Sequence, residues 1–104
     1  MIRQDIDVAG YWKIIVVYNA VLGKKDVGFT YTNSNKRVSI VGISPTSSQE
    51  QLLNTIVHEA KHVQSHICNY YNVPEDGEQA AYLIGYIVQH MHKVFRDMLS
   101  KGAY

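Results

Sequence analysis

The sequence has little cysteine, little proline and no long apolar run. Its 104 residues include one cysteine, Cys68, with seven glycines and two prolines. A single cysteine excludes an internal disulfide framework and any four-cysteine zinc site. The absence of low-complexity segments argues against disordered linkers. No apolar stretch approaches the roughly 20 residues needed to cross a bilayer, so we expect a soluble protein without membrane contact.

Charge of one sign is also lacking. Ten lysines and arginines nearly balance nine aspartates and glutamates, giving a formal net charge of +1. Such a chain has no field strong enough to hold nucleic acid by counterion release, so no nucleic-acid partner is expected. Residues 1–10 include Asp5 and Asp7 and lack the basic start and apolar core of a secretory signal, which predicts a cytoplasmic protein. The length fits one domain over 1–104, and the oligomeric state stays open.

Residues 11–43 have the pattern of a small sheet. The segment 11–18 is dense in aromatic and β-branched residues and predicts a strand. A second strand at 28–32 and a third at 37–43 flank an Asn- and Ser-rich turn, which is typical of a hairpin. Between the first two strands we expect a polar turn at 22–26, with a short helical piece at 20–22. The sequence therefore predicts an antiparallel sheet of about three strands.

A long helix is predicted over 48–71. Ser48 followed by Gln51 forms a capping pattern, as does the pair one residue earlier, and Asn72 with Pro74 ends the helix. Its apolar arc is Leu52, Leu53, Ile56, Val57, Ala60, Val63 and Ile67, opposite Asn54, Thr55, His58, His62, Ser65 and His66.

A second amphipathic helix is predicted over 76–99. It begins near Pro74 to Gly77, because proline suits the first helical position and Asp76 with Gln79 makes an alternative capping pair. Its apolar arc is Ala80, Leu83, Ile84, Ile87, Met91, Val94, Phe95 and Met98, and Glu78, Tyr82, Tyr86 and Gln89 line its polar side. A sheet followed by two long helices makes the predicted fold class α+β.

The chemistry is concentrated in an H-E-x-x-H sequence at 58–62. On a helix, His58 and His62 lie about 40° apart and one turn along, close enough to share one ion. Neutral imidazole suits Zn²⁺, and a catalytic zinc site has three protein ligands and one water. Glu59 can take a proton from such a water and pass it to a leaving amine. The alternative interpretation is a pair of ordinary surface histidines.

A third ligand is expected downstream, and Glu78 is the best candidate. Ala81 and Gly85 lie beside it on the second helix, and small residues there would let the two helix backbones approach closely. Glu75, Asp76 and His66 remain alternatives.

These motifs resemble the gluzincin-type zinc metallopeptidases, in which H-E-x-x-H on one helix is completed by a glutamate on a following helix. The order of a small sheet, an H-E-x-x-H helix and a glutamate helix in about 100 residues is similar to the minimal single-domain minigluzincins. The resemblance covers His58 to about Gly85. It implies His58, His62 and Glu78 as zinc ligands, Glu59 as general base or acid, and 37–43 as the cleft-edge strand that receives an extended peptide.

Several other residues have more than one interpretation. Tyr82 and Tyr86 could donate a hydrogen bond in the transition state or simply seal a helix interface. His66 could support the metal site, contact substrate or be solvated. Cys68 is expected to be a small core residue rather than a nucleophile.

The predicted function is zinc-dependent hydrolysis of a peptide or protein substrate, with Glu59 as base. A non-catalytic, zinc-stabilised binding or regulatory module is the alternative, because metal binding alone can stabilise so small a chain. A metal-free helical hairpin that binds another protein is the third class.

Overall fold

The computed structural model describes residues 2–20 and 27–102. Its strands are β1 (Ile2–Val8), β2 (Trp12–Tyr18), β3 (Gly28–Asn33) and β4 (Val38–Ile43), and its helices are α1 (Gln49–Tyr71) and α2 (Glu78–Ser100), with a 3-10 turn at Ser34–Lys36. The α+β class, a sheet followed by two helices, is confirmed. The polar turn expected at 22–26 and most of the helical piece expected at 20–22 lie outside the described residues.

The sheet has four strands in the order β1-β2-β4-β3 and is mixed, so the prediction of about three antiparallel strands is wrong. The missed strand is β1, which pairs antiparallel with β2. Its Ile6 and Val8 are buried, whereas Arg3, Asp5 and Asp7 point to the other face. Charged residues are depleted in strands, so those in β1 obscured its alternation of buried and exposed side chains. That alternation stabilises the sheet only when β1 pairs with β2.

The position of β4 also differs from the prediction. It pairs in parallel with β2 on one side and antiparallel with β3 on the other. Three consecutive residues at its end, Val41, Gly42 and Ile43, are buried, as is typical of an interior strand. Residues 37–43 therefore do not form a cleft edge, and β3 is the strand at that side of the sheet.

The two helices lie side by side on one face of the sheet. The first, α1, contacts β3 and β4, and α2 contacts β1. Burying this face removes large apolar side chains from water, the main stabilising term in a domain of this size. The largest fully buried side chains are Trp12, Tyr18, Ile6, Ile14, Ile43, Leu52, Ile56, Ile87, Met91, Met98, Val16 and Val41.

The helix boundaries agree closely with the sequence pattern. Ser48 is the N-cap of α1, and its Oγ accepts the backbone N–H of Gln51 at 3.0 Å. The helix ends at Asn72, whose φ of 56° is left-handed. At α2 the expected Asp76 cap is wrong, because Gly77 is the N-cap and has no side chain to accept a hydrogen bond. Neither described helix is long and apolar enough to span a membrane.

The arc predicted for α1 needs one correction. Leu53 and Val57 are exposed, whereas Thr55 and Glu59 are buried. The buried face is therefore turned toward β3, and polar side chains form part of it. This rotation positions the candidate site described next.

Candidate functional site

The two histidines of the H-E-x-x-H sequence converge on one point. The Nε2 atoms of His58 and His62 lie 3.2 Å apart, with ring centroids separated by 4.8 Å. Two nitrogens bound to one tetrahedral zinc ion at about 2.0–2.1 Å would lie about 3.3–3.4 Å apart. The His58 side chain is 65% exposed, so this point is open to solvent. Two imidazoles in this arrangement fit two positions on a single ion, and they equally fit one N–H···N hydrogen bond.

Glu59 lies beside this pair but is buried. The residue is only 4% exposed. Thr30 on β3 donates its hydroxyl hydrogen to Oε1 of Glu59 at 2.7 Å, and Oε2 lies 4.0 Å from Nε2 of His58. Thr30 thus fixes one carboxylate oxygen and leaves the other 4.0 Å from His58, on the side where a bound water could be reached.

Gly28 on β3 is part of the same contact. A Cβ at this position would lie 3.0 Å from Cγ and Oε2 of Glu59, and 3.0 Å from Cγ2 of Thr55. Any larger residue here would therefore require the carboxylate or Thr55 to shift by a few tenths of an ångström. Sequence reasoning missed Gly28 and Thr30. They are small residues at alternate positions of a predicted strand, and in a sheet expected to pack against a helix this spacing was a usable signal.

His66, one turn after His62, is half-buried and joins a hydrogen-bonded chain beneath α1. Its Nδ1 lies 2.7 Å from Oγ1 of Thr32, which lies 2.7 Å from Oγ of Ser39, and Ser39 accepts the indole N–H of Trp12 at 3.1 Å. The indole can only donate. Both hydroxyl hydrogens are used if Ser39 donates to Thr32 and Thr32 donates to Nδ1 of His66. The imidazole of His66 then carries its hydrogen on Nε2. The chain ties His66 to the sheet.

The alternative acidic ligands lie elsewhere. Oε2 of Glu75 accepts hydrogen bonds from Ser65 Oγ at 2.9 Å and Lys61 Nζ at 3.4 Å. The Ser65 hydrogen bond, with Lys61 beside it, lowers the pKa of Glu75 below its usual range. Asp76 is exposed in the turn before α2. Among the residues that the structure describes, neither acidic side chain belongs to a group of three or more that could hold a metal ion.

Glu78 does not complete a metal site with the histidine pair. Within residues 2–20 and 27–102, no group of three or more His, Cys, Asp or Glu side chains could hold a metal ion. The reason is the side of α1 on which α2 packs. The buried side chain of Gln64 donates to the carbonyl of Ala80 at 2.9 Å. Gln64 lies about 120–160° around α1 from the two histidines, which therefore face away from α2.

The small residues beside Glu78 also have a different role. Ala81 and Gly85 are exposed, and they line a groove instead of packing against α1. The packing argument for Glu78 is therefore wrong, and so is the resemblance to the gluzincin-type metallopeptidases and their minigluzincin members, which rests on a glutamate from the second helix.

Tyr82 and Tyr86 belong to that groove. They line it together with Val8, Tyr11 and Cys68, whereas the His58 side chain lines a separate, shallower depression with Leu53 and Val57. The hydroxyl of Tyr86 donates to the carbonyl of Asp7 at 2.7 Å. Cys68 is buried, as expected, and burial raises the pKa of its thiol.

Comparison of the chain with protein-family models, curated proteins and solved structures found no match in any of the three.

Proposed function

We propose that this chain is a zinc-dependent hydrolase of peptide bonds, in which His58 and His62 hold the ion and Glu59 is the general base and then the general acid. The observation that supports it most strongly is the 3.2 Å separation of the two Nε2 atoms. That distance is compatible with two nitrogen ligands on one tetrahedral ion, for which about 3.3–3.4 Å is expected. A peptide or protein is the proposed substrate.

The contacts of Glu59 and Thr30 determine the role proposed for each. A zinc ion bound here would acidify a water and polarise a carbonyl. Oε2 of Glu59, on the histidine side, takes the proton of the attacking water and later delivers it to the leaving amine. Thr30 holds Oε1, so the carboxylate does not rotate away from the histidines. The low exposure of Glu59 keeps bulk water from competing for the proton.

Two protein ligands are fewer than the three usual in catalytic zinc sites. A zinc ion held here by His58 and His62 alone would take its other ligands from outside the described residues. We accordingly expect weaker zinc binding than in a three-ligand site, and complete loss of zinc to a chelator.

The exposed position of the histidine pair favours a second candidate, a non-catalytic zinc-binding or regulatory module. In such a module a partner protein would supply the missing ligands. The two candidates differ in whether Glu59 is required.

The test compares cleavage of an unstructured protein by the wild type, Glu59→Gln and Glu78→Gln, all with added zinc. Glutamine at 59 can still accept the Thr30 hydrogen bond, so we expect an intact fold and unchanged zinc binding. Loss of the base should lower the cleavage rate by about 10²–10⁴-fold. Glu78→Gln, the same change at an exposed residue in the first turn of α2, should cleave like the wild type. Zinc binding without cleavage by any variant would favour the module.

A further inference from the structure

A large apolar groove lies on the side of α1 away from the histidine pair. Its volume is about 1130 Å³, and its walls come from the β1–β2 turn, the end of α1 and the first half of α2. Ile67 and Tyr71, which line it, lie about 140–180° around α1 from His58 and His62. The groove is therefore separate from the candidate hydrolytic site.

The aromatic walls of the groove are held in place by the fold. The hydroxyl of Tyr86 donates to the carbonyl of Asp7 at 2.7 Å, which fixes the ring between α2 and β1. The rings of Tyr11 and Tyr71 meet edge to face with centroids 5.4 Å apart, and the Tyr71 hydroxyl lies 3.4 Å from the Tyr11 carbonyl. Preformed walls of this kind are characteristic of small-molecule sites.

The lining determines the chemistry of the occupant. None of the described residues that line the groove carries a formal charge. Tyrosine rings and aliphatic carbon make up most of the surface, and the amide side chains of Gln79 and Gln89 are the polar groups besides the phenols. A charged ligand would lose its hydration here without gaining an ion pair. An aromatic ring would gain binding free energy here from offset or edge-to-face contact with the tyrosines.

We propose that this groove binds an uncharged aromatic small molecule. The volume is close to the range of about 300–1,000 Å³ typical of such sites. The walls of the groove come from three elements, and the exposed ring of Tyr82 leaves one side open, through which a small ligand can enter from solution. The proposal does not depend on zinc or on the hydrolytic function.

A substitution at Gly85 can fill the groove without a clash. A Cβ at this position would meet nothing within 4 Å among the described residues. Because a side chain there enters open space, and because leucine has a higher helix propensity than glycine, Gly85→Leu should fold at least as well as the wild type. Its isobutyl group would occupy the groove.

The test is a fluorescence titration with N-phenyl-1-naphthylamine, an uncharged aromatic probe. We expect saturable binding of one probe per wild-type chain, similar binding by Gly85→Ala and His58→Ala, and at least tenfold weaker binding by Gly85→Leu. Thermal unfolding of Gly85→Leu verifies that the fold is kept. Failure of the wild type to saturate, or equal affinity in Gly85→Leu, would overturn the proposal. A dimer of the wild type that Gly85→Leu dissociates would also overturn it, because the groove would then be an interface between two copies.

Discussion

Replacement of Ser39 by alanine tests the hydrogen-bonded chain beneath the H-E-x-x-H helix. The side chain of Ser39 is fully buried, accepts the indole N–H of Trp12 at 3.1 Å, and lies 2.7 Å from Oγ1 of Thr32. Alanine removes this hydroxyl with almost no change in volume. Trp12 is 2% exposed, so its N–H would be left without water or another acceptor.

The magnitude follows from these contacts. A buried donor that loses its partner costs about 1–3 kcal/mol, and a lost neutral hydrogen bond about 0.5–1.5 kcal/mol. Thr32 retains His66, so we expect Ser39→Ala to lower the free energy of unfolding by about 2–3 kcal/mol. For a domain of about 100 residues this corresponds to a fall in Tm of roughly 10–20 °C.

Urea unfolding followed by far-UV circular dichroism measures this change. Ser34→Ala, an exposed serine in the 3-10 turn between β3 and β4, is the control and should shift stability by less than about 0.5 kcal/mol. In a Trp12→Phe background, Ser39→Ala should cost less than about 1 kcal/mol, because there is no indole N–H to leave unpaired. Equal stability of Ser39→Ala and Ser34→Ala would refute the assignment of this chain.

Two further predictions concern titratable groups. The pKa of Glu75 is lowered in the folded protein by its hydrogen bond from Ser65 and by Lys61, so the ionised carboxylate stabilises the fold above the ordinary glutamate range, and this stabilisation is lost as the pH falls through the folded-state pKa. The Tm of Glu75→Gln should therefore lie below that of the wild type at about pH 7 and match it at about pH 2.5. A difference in Tm that stays constant with pH would contradict this sign. Burial raises the pKa of the Cys68 thiol and blocks access to it, so at about pH 7 a disulfide reagent should label the native chain far more slowly than the urea-unfolded chain, and equal rates would show that Cys68 is accessible.

The helices were the most predictable part of the fold. Their boundaries depend on local signals, such as the Ser48 cap and the left-handed Asn72, and the apolar period of α2 selects the residues that it buries. These features act within a few residues of the chain, so the sequence pattern is sufficient to locate them.

The sheet was less predictable because its order depends on non-local pairing. The placement of β4 between β2 and β3 cannot be derived from a turn, since the parallel pair of β2 and β4 joins segments more than 20 residues apart. Strand β1 was missed for a different reason, because three of its seven residues are charged and point away from the core.

The candidate site was predictable only in part. The spacing of His58 and His62 on a helix is enough to predict that their rings meet. To judge Glu78 as a third ligand requires knowing which side of α1 faces α2. The buried contact of Gln64 marks that side. Gln64 is polar, so a search for apolar periodicity does not select it. The same limit applies to Thr30, whose contact with Glu59 joins distant segments of the chain.

Zinc binding by His58 and His62 is the central requirement of the proposed function. The direct measurement is the zinc content after equilibrium dialysis of the wild type, His58→Ala, His62→Ala and Glu78→Gln, with the exposed His92→Ala on α2 as the matched histidine control. We predict about one zinc ion per chain in the wild type, His92→Ala and Glu78→Gln, and almost none in His58→Ala or His62→Ala. Zinc content unchanged by His58→Ala and His62→Ala, or a wild type that binds no zinc, would contradict the account.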